Sequence, residues 1–98
     1  MANHTINIPA GGGASDQHCR RGDQIQWAST TGAWNLGFNN SPFVQTGGPQ
    51  TVPVPNNGNS GFLVVVGAPN TYPYTPSLAS GGGGADPSII VDPPPPMP

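Results

Sequence analysis

Residues 71–92 read TYPYTPSLASGGGGADPSIIVD. Tyr72 and Tyr74 alternate with Pro and Thr, as residues do in a strand whose side chains point to opposite faces in turn. Ile89 and Val91 repeat that alternation beyond a long glycine-rich span. Two strands joined by so long a loop, in a chain of 98 residues, suggest a hairpin whose connection has a job of its own. What that job is depends on the frame the rest of the chain builds around it.

The same period of two recurs along the chain. Ile6 and Ile8 alternate with polar residues, Ile25 and Trp27 with glutamines, and Trp34, Leu36 and Phe38 with Asn and Gly. Val52 and Val54 alternate with Thr and Pro, and Phe62, Val64 and Val66 form one face of the FLVVV run. Each short segment is bounded by Gly, Pro, Asn or Asp, and no segment carries a 3.6-residue period over ten positions. The fold class is therefore all-β, a sandwich or barrel. FLVVV is apolar on both faces and is expected to be a central strand. VPVP lacks two backbone donors, so it belongs at an edge or is not a true strand. Asn57-Gly58 marks a turn between them. Residues 1–92 are expected to form one domain, with 93–98 a proline-rich tail that is either polyproline II or disordered.

Composition narrows function more than it narrows fold. Only 6% of residues are charged, with two arginines, four aspartates, no lysine and no glutamate; a typical fraction is about 25%. Two cations in a chain of net charge −2 cannot neutralise a phosphate backbone, so nucleic acid is not the expected partner. No basic amphipathic segment suits a membrane surface, and no apolar run approaches the roughly 20 residues of a spanning helix. The first residues, MANHTINIPAGGG, lack the basic and apolar regions of a signal peptide. Weak charge repulsion and a surface rich in Asn, Ser, Thr and Gln favour association of the chain with itself.

Four elements in order resemble the cupredoxin family. They are TINI at 5–8, RRGDQIQW at 20–27 with its Gly-Asp turn entering an alternating strand, TTGAWNLGF at 30–38, and the Y-x-Y hairpin of 71–92. The resemblance implies a cupredoxin-like Greek-key β-sandwich of about seven or eight short strands. It also implies where a copper site would stand. One His would fall near Trp34, and a Cys, a second His and a Met would come from the loop over 75–86. Copper of that kind needs a thiolate and two imidazoles held trigonally with a weak axial thioether. Trp34 offers only an indole N–H, a donor, and residues 75–86 contain no Cys, His or Met. The family's electron transfer is therefore not expected, no cofactor is expected, and Trp34 is expected to plug the place of the lost ligand rather than line a shallow pocket there. Periplasmic or secreted location would suit the resemblance if a signal had been removed.

Another metal site could draw on His4, His18 and Cys19, with Asp16 nearby, in a loop beginning at GGGASDQHC. Adjacent residues in a strand point to opposite faces, so His18 and Cys19 converge only if the segment is a loop. Catalysis has little to work with. The aspartates stand in turn contexts such as Gly-Asp-Gln and Ala-Asp-Pro, where they fix backbone N–H groups, and no glutamate pairs with them. The glycine runs lack the lysine and the spacing of a phosphate loop. The expected protein is a non-enzymatic module with a structural or binding role, forming an oligomer or filament with itself or meeting another protein. Ser77, Leu78, Ser80 and Gly82 are its candidate binding loop; the alternative is a metal or redox protein built on His18 and Cys19 or on ligands shared between copies.

Overall fold

The period of two becomes an alternation of buried and exposed side chains. In the computed structural model, which describes residues 2–82 and 86–94, β1 covers Asn3–Ile8, β2 Gln17–Cys19, β3 Gln24–Ser29, β4 Trp34–Phe38 and β5 Gln50–Val54. After them come β6 at Gly58–Asn59, β7 at Leu63–Val64, β8 at Asn70–Leu78 and β9 at Ser88–Val91. Of β4, Trp34, Leu36 and Phe38 are buried while Asn35 and Gly37 face out. No helix occurs among the described residues.

The strands form two sheets whose inner faces meet. One runs β1-β3-β6 with β7 also on β3, and the other runs β2-β9-β8-β4-β5. Sequence neighbours are thus often not spatial neighbours, as a Greek-key sandwich requires. Trp27 of the first sheet packs edge-on against Phe38 and Tyr74 of the second and against Phe43, with centroids 5.4 to 6.0 Å apart. Its indole N–H donates to the Tyr74 hydroxyl at 3.1 Å, so the central aromatic cluster buries no unpartnered donor. Burial in turn pushes the Tyr74 phenol above its ordinary pKa.

Three expectations need amendment. FLVVV is not a central strand. Leu63–Val64 pair with the first half of β3, and Val65 bonds on to Gly22 and Asp23 in the turn before β3 begins. Val65 is the buried member at 1% exposure, while Phe62 and Val64 stand at 45% and 46%. Beyond it the chain leaves the sheet, with the amides of Val66 and Gly67 donating to Pro42 O. Second, the GGGASDQHC segment is a loop only in part, because its last three residues are β2, paired in parallel with β9. Third, β8 continues through Ser77 and Leu78, four residues past Tyr74, and shortens the expected loop.

The β8 strand is central although it carries Pro73 and Pro76, which cannot donate to a ladder. Residues 70–73 pair with β9 and residues 74–78 with β4. Tyr74 N donates toward the β9 side, to Pro87 O, and alternation then turns the nitrogen of Pro76 that way and that of Pro73 toward β4. Each proline therefore lies where the strand on that side has ended or not yet begun. At the edge, β5 holds Pro53, as its prolines lead one to expect.

Candidate functional site

The two ends of the sandwich differ in chemistry. At one end β4 begins, β8 stops and the loop toward β9 opens; at the other β3 and β8 begin and β9 stops.

Trp34 closes the first end. It is 1% exposed, and its indole N–H donates to Thr31 Oγ1 at 3.0 Å, which itself donates to Ile8 O. Gly12, at φ +79°, lies so close above the ring that a Cβ there would meet Trp34 Cζ3 at 3.0 Å and Pro76 Cβ at 3.1 Å. Sequence reading missed Gly12 and Thr31, for nothing local ties them to a tryptophan further along the chain. Leu78 packs on the core from β8, and Ser77, Ser80 and Gly82 are exposed. The loop is shaped by its backbone: Leu78 N donates to Gly82 O, Gly81 N to Leu78 O, and Ala79 N to Ala33 O. Residues 83–85 lie outside the described residues.

Both histidine–aspartate pairs lie at the opposite end. An open hollow of about 470 Å³ there is lined by Ala2, His4, His18, Cys19, Arg20, Asp23 and Asp92. Asp23 is its anchor. Its carboxylate accepts from Ala2 N at 2.9 Å, from Arg20 N at 3.0 Å and pairs with His4 Nε2 at 3.0 Å. The Ala2 amide first, and with it His4 and the Arg20 amide, hold the carboxyl at about 2, against the opposing effect of burial. The Gly-Asp pair entering β3 announced a turn; that it also pins the start of β1 appears only once β1 lies beside β3. Outside, His18 Nδ1 meets Asp92 at 3.1 Å on an exposed surface.

His4, His18 and Cys19 all line this hollow but are not grouped to hold a metal ion. In β2 His18 is exposed and Cys19 is buried, the thiol donating weakly to Ile90 O at 3.6 Å. Burial, with the charges of Asp23 and Asp92, pushes the Cys19 thiol up to about 11, so near neutral pH the metal-free protein holds it as a protonated thiol. Asp16 is engaged elsewhere, accepting from Ser88 N at 2.9 Å. Among the described residues no group of three or more His, Cys, Asp or Glu is placed to hold a metal ion.

No family model matches the chain, and no curated protein matches it. Solved structures do. An oxidised mutant of amicyanin superimposes with a TM-score of 0.65 at 12% identity, covering 90% of this chain and 80% of that one. The chain has the cupredoxin fold. A second amicyanin mutant, reduced, in its Cu(I) form at pH 4, gives 0.63 at 13% with the same coverage. A third, also Cu(I), gives 0.62 at 14% over 90% of this chain and 80% of that one. At such identity the cupredoxin likeness speaks for the backbone alone. Copper chemistry would have to be written in the side chains, and those at the Trp34 end do not fit it. An indole N–H already donated to Thr31, a leucine, two prolines, serines and glycines offer neither thiolate nor imidazole.

Proposed function

We propose that this chain is a non-catalytic, copper-free cupredoxin-fold module with a structural or binding role, and that it associates with itself. The observation that carries the reading is Trp34. A fully packed indole, locked by Thr31 and roofed by Gly12, stands where the family resemblance places a ligand. On that resemblance, core packing fills the space a metal would need. What remains at that end is a loop shaped by its own backbone bonds, presenting Ser77, Ser80 and Gly82. A rigid sandwich that displays loops and strand edges is suited to binding by shape. Scant charge supports self-association, since little repulsion separates copies of net charge −2. A periplasmic or secreted setting would suit the fold resemblance.

Two measurements test this. Titration of the protein with Cu(II) should produce no intense visible thiolate-to-copper band, and such a band would overturn the copper-free reading. Light scattering over a wide concentration range should show mass rising with concentration. A strict monomer throughout would overturn self-association.

A further inference from the structure

A sheet edge offers a row of unpaired N–H and C=O groups, and proteins usually blunt such edges by shortness, proline or charge. Three of the rims here are blunted. β2 has three residues, β6 and β7 have two each, and β5 carries Pro53. β1 is different. It is six residues long, NHTINI, with no proline, aspartate, glutamate, lysine or arginine, and among the described residues its sole strand partner is β3.

The direction of each backbone group in β1 follows from its neighbours. Gln24 N donates to Ala2 O, while Ser60 N donates to Trp27 O on the far side of β3. Even-numbered residues of β3 therefore face β1, and even-numbered residues of β1 face β3. That leaves the N–H and C=O of Asn3, Thr5 and Asn7 pointing outward. Among the described residues none of these three takes part in a backbone bond outside the ladder. Their side chains stand on the solvent face, with Ile6 and Ile8 on the core face.

We propose that the outward edge of β1 pairs antiparallel with β1 of a second copy about a two-fold axis, joining two four-stranded sheets into one. This rests on the self-association reading and names its surface. The strand is self-complementary in that register. Thr5 falls opposite the partner's Thr5, and Asn3 opposite the partner's Asn7. All three outward residues then meet outward residues, giving about six backbone hydrogen bonds. On the solvent face Thr–Thr and Asn–Asn pairs come together, with no like charges to oppose them. Pairing of β1 with the other end of the same sheet is disfavoured, because two-residue rims cannot template six residues.

Thr5→Pro is the sharpest test. It deletes an outward N–H that β3 does not use, so β1 keeps its ladder while the new edge loses its central pair. Thr5→Lys sets two like charges face to face at the two-fold axis, and Thr51→Lys adds the same charge to an exposed position of β5 as a control. Sedimentation velocity over a concentration series should show the wild type and Thr51→Lys as dimers. Both Thr5 variants should be monomers or at least about tenfold weaker, with far-UV spectra unchanged. Hydrogen exchange should protect the amides of Asn3, Thr5 and Asn7 as concentration rises. If the wild type associates and the Thr5 variants associate equally well, the β1 edge is overturned while self-association stands. A wild type that never associates overturns both.

Discussion

The Trp34 end and the Asp23 end of this sandwich divide the labour of folding in opposite ways. At the first, apolar and neutral groups are packed shut: Trp34, Leu78, Pro76 and Gly12, with one hydroxyl to satisfy the indole. At the second, hydrogen bonds hold an open hollow together, with Asp23 binding the start of β1 to the turn before β3. The contrast shows that packing alone can close the space at the loop end of this fold. An aromatic ring can fill that volume and satisfy its polar edge internally. It also shows where polar chemistry survives, namely at the end away from the loop.

The largest effect is expected from opening the packed end. Trp34→Ala removes a buried ring and leaves the Thr31 hydroxyl without its donor, at a cost of about 3–5 kcal/mol. Chemical denaturation would measure it, and a loss below about 1 kcal/mol would mean that the ring is not structural. Next is the anchor of the other end. Asp23→Asn should cost on the order of 2 kcal/mol near neutral pH, because two backbone donors and His4 lose a charged acceptor. Its folded-state pKa, about 2, lies below the ordinary 3.8. The stabilisation is therefore present above about 3.8 and is lost as pH falls through about 2. Wild-type unfolding free energy should fall across that window, and the Asp23→Asn protein should show a flatter acid limb.

A smaller loss is expected when the packed end is overfilled. Gly12→Ala combines a left-handed backbone with a methyl 3.0 Å from the Trp34 ring, worth about 1–3 kcal/mol, read as a lowered thermal midpoint. The smallest effect should come from the exposed pair at the opposite end. His18→Gln breaks a contact whose partners are 64% and 41% exposed and should shift stability by no more than about 0.5 kcal/mol. A larger shift there would show that the open end is more tightly coupled to the core than its exposure implies.

Much of the packed end is legible in the sequence. Trp34, Leu36 and Phe38 announce an inward face by alternation alone, and the absence of Cys, His and Met from 75–86 can be read directly from the letters. The open end is less so. Gln17-His18-Cys19 has no apolar pattern, and it is a strand because β9, some seventy residues later, offers it a rim. FLVVV misleads for the converse reason. Its composition says core, but its ladder covers only a short stretch of β3, and the chain turns away to Pro42.

What the sequence determined by itself was local. Side-chain alternation set which residues face inward, glycine and proline punctuated the strands, and the letters of the last loop excluded thiolate and imidazole ligands there. Tertiary structure decided what depends on partners far along the chain. It placed Gly12 over Trp34, set Asp23 between Ala2 and Arg20, and let β8 remain central despite Pro73 and Pro76. It also left β1 with one paired side and one outward row of backbone groups. The physical reason is range. Alternation and turn chemistry act over a few residues, whereas ladder partners and close packing are chosen by topology, which no short window of sequence contains.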